Sequence, residues 1–573
     1  MARGRLGSAC AIAAAVVLTT TALTAGATRR RDGHAAPGAA DAGNGVRPPS
    51  HALRRRSPAG GSASVSFRVD TSAGRRAISP LIYGINGDLT VDGRAFTAEL
   101  AATRATLVRL GGDRWSAYNW EDNYSNAGSD YRYENDDYLS ASTRPGAAVL
   151  PTVEAAKAAG ATALVTIPIA GLVAADAGGP VALDNPPDAK RFLHDEPTDP
   201  APLSMTPNLR ASAVYQNQFV YWLKHSVSGE PVMFSLDNEP DLWSSTHQEI
   251  HPEPTTYTEL LHKDLDYATA IKKIWPSAPV TGPVSYGWEG YLTLQNAPDS
   301  VKLGNFLEWW MRQVRRADEK AHMVLINDLD LHWYPEATGD GVRITGPQDS
   351  PAVAAAREQA PRSLWDPGYV EDSWITADSL DGHGIDLIPR LESEVAADDP
   401  GLRLDFSEWD YGGGDDVSGA IATADVLGIF GKYGVHAAAF WSLQGNEDFA
   451  YGAFAVYRDY DGHGGSFGGT EVSATTSDPD GSSVYASIGA DEPGHVVIVV
   501  INKHDTALPA SLLVTTGGDT TAADFATARV YALTAASPRP RPARSLHAAS
   551  NGRFDWELPA QSVEVVVPAR GRS

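Results

Sequence analysis

The 573-residue chain has a single cysteine, Cys10, and it lies in the N-terminal segment. A mature protein without that segment would have no thiol at all. This excludes a thiol nucleophile, cysteine-ligated zinc and a disulfide-stapled scaffold, so the fold must rest on a large apolar core. Positive charge is also scarce: 46 Lys and Arg stand against 71 Asp and Glu, a net charge of -25. Phosphate backbones and anionic lipid surfaces need a basic face, so neither nucleic acid nor a membrane is expected as partner. No firmly apolar run reaches the roughly 20 residues of a membrane span. No internal repeat is visible.

Residues 1–27 read as a secretory signal: Arg3 and Arg5, an apolar stretch from Ala9 to Leu18, then Ala25-Gly26-Ala27 as cleavage site. The expected location is extracellular. Residues 28–61, rich in Gly, Ala, Pro and Arg without apolar period, read as a disordered linker or propeptide. Aromatic residues are plentiful, with 14 Trp. About half of these are expected in the core, and the rest suit flat ligand faces.

From Leu81 onward, eight short apolar runs alternate with helical stretches: LIYGING (81–87), ATLVRLGG (105–112), ATALVTIPI (161–169), VMFSLDNE (232–239), PVTGPVSYG (279–287), VLINDLDLHWYP (324–335), RLDFSEWD (403–410) and HAAAFWSLQ (436–444). Helices are predicted over 151–159, 213–225, 257–275, 305–319 and 418–433. In the third, Tyr257, Leu260, Leu261, Leu265 and Ala268 recur at helical spacing. The alternation predicts an α/β fold, a (β/α)8 TIM-like barrel over 81–451, with extra length after strands two, three and six. Residues 452–573 change to β-like runs at 482–489, 495–503, 510–517, 528–535 and 562–568, which predict an additional β-sandwich domain. The segment 62–80, with VSFRVD at 65–70, is expected to add a strand to it.

Barrel enzymes carry their chemistry at the C-terminal ends of the strands. Here strand four ends in Asp237-Asn238-Glu239-Pro240 and strand seven in Ser407-Glu408-Trp409. Two carboxylates facing one another suit glycoside hydrolysis, in which one protonates the leaving oxygen and the other acts ionised. Around them, Arg109 could hold a carboxylate ionised. His332 and Tyr334 could bond a carboxylate or sugar, Asn238 a sugar hydroxyl, and Trp441 could floor a pyranose. Trp115, Trp120 and Tyr286 complete the candidate substrate-binding set. HQEIH (247–251) places two His four apart, but its Glu does not follow the first His directly and Pro252 comes at once. A loop shaping the cleft is expected there rather than a zinc site. A structural calcium held by loop carboxylates, with Glu121, Asp122 and Asp136 among the candidates, stays open.

Five segments together, VRLGGDRWSAYNWEDNYSNAGSDY (108–131), FSLDNEPDLWSSTHQEIHP (234–252), LDLHWYPE (329–336), SLWDPGYVEDSWI (363–375) and SEWDYGGG (407–414), resemble glycoside hydrolase family 44, bacterial endoglucanases and xyloglucanases. The resemblance implies a barrel with a β-sandwich and a retaining double displacement on a β-1,4-linked glucan, with no cofactor required. Glu239 then resembles the acid/base and Glu408 the nucleophile. The family more usually reads Thr-Glu-Tyr-Asn-Tyr where this chain has Ser407-Glu408-Trp409-Asp410-Tyr411. That departure bears on substrate preference more than on reaction type. A β-mannanase or xylanase of the same architecture, or a non-catalytic carbohydrate-binding protein, are the alternatives.

Overall fold

A computed structural model describes residues 64–570 except 230–231, 347, 444, 490–493 and 518–522. The signal and linker expected over 1–27 and 28–61 lie outside the described residues. Among the described residues no helix is long and apolar enough to cross a membrane.

Eight parallel strands close into a barrel: Gly84–Asn86, Leu107–Leu110, Thr162–Ile167, Met233–Leu236, Val280–Ser285, Asp328–Trp333, Arg403–Trp409 and Ala437–Phe440. They are called barrel strands one to eight below. Each falls within one of the eight apolar runs. These strands are buried on both faces, which is why strands two, four and eight read as mainly apolar stretches, while strands six and seven, DLDLHW and RLDFSEW, alternate and bury most of their polar residues as well. A small cluster of Leu107, Leu164, Met233, Ala437 and Ala439 is separate from the main core. The long connections after strands two, three and six carry short accessory sheets and turns on the mouth side.

The second region is one continuous ten-stranded, mostly antiparallel sheet in which Val65–Asp70 pairs antiparallel with Thr470–Thr476 and parallel with Leu508–Thr515. Strand Val496–Asn502 shows how it joins the barrel. Its even residues Val496, Ile498 and Val500 enter the sheet domain's own core, and its odd residues Val497, Val499 and Ile501 enter the barrel's. A strand buried on both faces needs this unbroken VVIVVI. Helix Val417–Tyr433 is buried nearly all round, and Gly428 lets the Tyr485 ring approach where a Cβ would lie 2.3 Å from it.

Several expectations shift. The helix predicted from Ala213 starts at Gln216, because 213–215 form a strand with 194–196. Helix Asp448–Arg458 runs across the 451/452 border, where strand pattern was expected to begin. Strands Thr470–Thr476, Ser537–His547 and Arg553–Leu558 add to the predicted set. Ser537–His547 contains Pro538, Pro540 and Pro542, which argue against a strand; it exists because it is the outermost strand, where a missing N–H is tolerated. Ten of the 14 Trp are buried, more than half.

Candidate active site

Barrel strand four delivers its carboxylate through a backbone twist. Asp237 and Glu239 have φ of 68° and 43°, a region non-glycine residues enter at a cost of about 1–3 kcal/mol each. The Asp237 carboxylate holds the twist. Its Oδ2 accepts from the amides of Ile169 (2.5 Å) and Ala170 (3.1 Å), and its Oδ1 from the Asn238 amide (2.8 Å) and Trp243 Nε1 (3.2 Å). The Glu239 amide donates to the Val284 carbonyl at 3.1 Å. At the acidic end of FSLDNEP, Asp237 is thus scaffold and Glu239 the candidate reactive group.

Barrel strand seven aims its carboxylate with a bulge. Leu331 pairs with Phe406, but His332 pairs with Glu408, so Ser407 is extra. The Ser407 amide donates to Asp330 Oδ1 and its carbonyl accepts from Asn86 Nδ2, both at 3.0 Å. An inserted residue changes the direction in which the next side chain points.

The two devices bring an oxygen of Glu239, an oxygen of Glu408 and a ring nitrogen of His332 within 4.8 Å of one another. Arg109, wholly buried, donates through Nη1 to Glu408 Oε1 (2.6 Å) and Asn86 Oδ1 (3.0 Å), and through Nη2 to Asn238 Oδ1 (2.9 Å). Gly111 makes room for it: a Cβ there would lie 2.2 Å from the guanidinium carbon. The Tyr334 hydroxyl donates to Glu408 Oε2 at 2.7 Å. His332 Nδ1 lies 2.9 Å from Glu239 Oε1 and 3.4 Å from Glu408 Oε2.

Burial raises both carboxyls, but not equally. Glu239 is lifted well above the ordinary range by desolvation and then by the charges of Glu408, Asp113 and Asp241. Glu408 is also lifted by desolvation, but the guanidinium and the tyrosine hydroxyl bond its ionised form directly and pull it back. Of the two, Glu239 is the carboxyl that holds its proton more firmly. Burial, and then Arg109, hold His332 neutral, well below the usual imidazole range.

The other candidates divide. Tyr286 is half-buried, with its amide on the Asp241 carboxylate at 3.1 Å; burial raises its hydroxyl, Arg343 offsets part of this, and the charges of Glu336 and Glu239 add to the rise. Trp441 is part-exposed at the end of strand eight, over Gly112, where a Cβ would lie 2.7 Å from its ring. Trp115 and Trp120 are buried, 3% and 0% exposed; Trp115 packs against Tyr118, and Trp120 against Phe219 and Trp222. Both lie in the connection after strand two. Arg109 and His332, at 0% exposure, act on the carboxylates rather than facing open solvent. Among the described residues, no group of three with metal-ligand spacing includes Glu121, Asp122 or Asp136, and Asp136 is taken by Arg114 at 2.7 Å. In HQEIH, His251 turns to Glu259 (2.9 Å) while His247 turns to Glu249 (2.7 Å), so the two His do not converge. Sequence reasoning gave no role to Asn86, Asp237, Asp241 or Asp330. A polar residue closing a barrel strand is the signal that could have found Asn86.

The glycoside hydrolase family 44 model matches residues 124–337, barrel strands three to six with Glu239 and His332. Endoglucanase A of Paenibacillus lautus is 38% identical over 524 residues, covering 88% of this chain and 72% of the relative. The chain belongs to glycoside hydrolase family 44. Two solved structures of the family agree with this enzyme over nearly all of its described length. A family 44 endoglucanase from Clostridium thermocellum is 35% identical with a TM-score of 0.81, over 88% of this chain and 100% of that one. A Paenibacillus polymyxa xyloglucanase, solved with xyloglucan, is 36% identical with a TM-score of 0.82, over 89% and 100%. The family 44 enzyme is therefore a glycosidase built as a barrel with a β-sheet domain.

Proposed function

We propose that this enzyme is a secreted, retaining endo-β-1,4-glucanase acting on cellulose-type glucan or xyloglucan, with Glu408 as nucleophile and Glu239 as acid/base. One observation carries the mechanism: the approach of the two carboxylates within 4.8 Å. Retaining enzymes hold the pair about 5–5.5 Å apart, whereas inverting ones leave about 6.5–9.5 Å for a water. The endoglucanase and xyloglucanase relatives support the substrate class.

Glu408 attacks the anomeric carbon while Glu239 donates its proton to the departing sugar oxygen. Arg109 and Tyr334 keep the attacking carboxylate ionised and aimed. Once Glu408 is esterified its charge is gone, and with it part of what lifts Glu239. Glu239 then becomes a competent base and deprotonates the water that releases the sugar. Neutral His332 can exchange a hydrogen bond with Glu239 in both states. Trp441 supplies the stacking face for a pyranose. No step passes through a metal. Arg3, Arg5, the apolar stretch after them and Ala25-Gly26-Ala27 support export, and N-terminal sequencing of protein from the medium checks it.

A 2-deoxy-2-fluoro cellobiosyl fluoride is expected to label Glu408, and NMR of the first product from a soluble glucan to show the β-anomer. An α-anomer appearing first, or labelling elsewhere, overturns the mechanism. Rates on xyloglucan and carboxymethylcellulose against mannan and xylan decide the substrate.

A further inference from the structure

The HQEIH segment has no part in this mechanism, yet two of its residues are among the most buried polar groups of the molecule. His247 and Glu249 are both 0% exposed. Helix Trp243–Thr246 ends just before them, and Gly128 (φ 52°) seats the turn after strand two against the imidazole; a Cβ there would lie 3.0 Å from His247 Cε1. His247 Nε2 lies 2.7 Å from the Asp113 carbonyl and Nδ1 2.7 Å from Glu249 Oε1. A carbonyl oxygen only accepts, so Nε2 carries a proton, and a carboxylate at Glu249 would accept from a second one on Nδ1.

Asp113 links this pair to the reacting groups. Its Oδ1 accepts from Asn238 Nδ2 at 3.1 Å, while Asn238 Oδ1 accepts from the Arg109 guanidinium that also holds Glu408. Arg109 only donates and the Asp113 carboxylate accepts, so the Asn238 amide has one orientation. The same carboxylate has an electrostatic drawback: its charge lifts both Glu239 and Glu408.

We propose that His247 and Glu249 are positioning residues for the catalytic centre: a buried imidazolium–carboxylate pair that pins the backbone at Asp113 and counterbalances its charge, so that Asp113 can orient Asn238 and Arg109 without burdening the nucleophile. The proposal rests on the reading of Glu408 as nucleophile. The groups facing His247 are Glu249 on its own loop, Asp113 and Asp130 from the loop after strand two, with Arg114 beside Asp130, and Asp237 from the end of strand four. Burial alone would push the imidazole down; the Glu249 carboxylate, then Asp113, raise it to about 9. Burial raises Asp113, Asp130 and Asp237, and His247 offsets part of that in each.

The test is the pH profile of kcat/KM for His247→Gln on a soluble glucan. The acid limb is expected to rise by about half a pH unit or more as Asp113 loses its counter-charge. kcat is expected to fall about tenfold with KM nearly unchanged. Adding Asp113→Asn, which removes the unbalanced charge but keeps an acceptor for Asn238, should return the limb toward wild type. A purely structural role predicts no such return. A limb in His247→Gln that matches wild type, or a shift that Asp113→Asn does not reverse, overturns the proposal. Glu408→Gln measured alongside separates the two readings: retained turnover there removes the nucleophile assignment itself. Should His247→Gln fail to fold, nitrogen NMR of wild-type enzyme with labelled histidine decides. One imidazole must stay doubly protonated at about pH 8, and neutral-form signals from all of them sink the idea.

Discussion

The two ends of the barrel hold the same kinds of residue and use them oppositely. Strand six carries His332 at its mouth end and Asp328 at its base; strand seven carries Glu408 and Asp405. With His436, the basal acids form a second group with three polar atoms within 4.8 Å of one another. At the base the counter-charge meets water: Arg403 grips both oxygens of Asp328 at 2.5 and 2.9 Å with a side chain 45% exposed. Asp405 Oδ1 accepts from the Ala437 amide and lies against His436 Nδ1, both at 2.9 Å. The backbone there is ordinary extended strand. At the mouth, one wholly buried guanidinium faces two carboxylates, and Asp237 and Glu239 adopt left-handed φ. Acids and a histidine alone do not make a reactive site. What distinguishes the mouth is an unequal sharing of one buried cation between two close carboxyls.

The sharpest way to break this comparison is to make the same conservative change at both ends. Glu408→Gln should lower kcat by about 10⁴-fold or more with the fold intact, because the charge of the proposed nucleophile is lost. Asp405→Asn should leave kcat within about twofold and change only the melting temperature. Equal losses of turnover would mean that the base is part of the catalytic machinery and that the contrast is wrong.

A second contrast is between the barrel and the sheet domain, which share a core through Val497, Val499 and Ile501. Between them lies a buried ion pair: Lys503 Nζ donates to Asp425 Oδ2 at 2.6 Å, with both side chains 1% exposed, and the Tyr485 hydroxyl donates to Asp425 Oδ1. Lys503→Met leaves Asp425 without its cation, at an expected loss of about 3–5 kcal/mol. Scanning calorimetry should show one transition moved down, with kcat unchanged. Two separate transitions in wild type would show that the regions unfold independently and that the shared core counts for little.

The barrel was legible because eight short runs rich in apolar residues alternate with helical stretches, even where, as in DLDLHW and RLDFSEW, polar residues interrupt them. Glu239 and Glu408 were legible because a carboxylate ending such a run has few other reasons to be there. What could not be read was which polar residues are buried. Helix Tyr257–Ile274 shows why. Its apolar period suggests Leu265 in the buried stripe, yet Asp264 is 0% exposed and Leu265 only partly covered. Asp264 is accommodated because Trp310 Nε1, from a helix about fifty residues on, donates to its Oδ2 at 2.8 Å. Likewise, nothing local in HQEIH says that His247 meets Asp113, 134 residues away. Nor does anything local say that Trp120, set among polar neighbours, packs against Phe219 and Trp222 about a hundred residues on.

Asp264 leads to an effect spread over several pH units, the one that compares the folded molecule with its own unfolded chain. Burial lifts its carboxyl from 3.8 to about 8, and the Trp310 bond only partly offsets this. Glu471, in the sheet domain, is lifted from 4.5 to about 8 for the same reason. A folded pKa above the unfolded one means that the native state binds the extra proton. Stability from each group is fully present below about pH 4 and is lost as pH rises through about 8, at up to about 1.4 kcal/mol per pH unit. The melting temperature is therefore expected to decline between about pH 5 and pH 8.5, and Asp264→Asn, which mimics the protonated acid, to flatten that decline. A variant whose melting temperature falls as steeply as wild type over that range would mean that Asp264 is ionised in the folded enzyme, and that burial alone does not keep a proton on a carboxyl here.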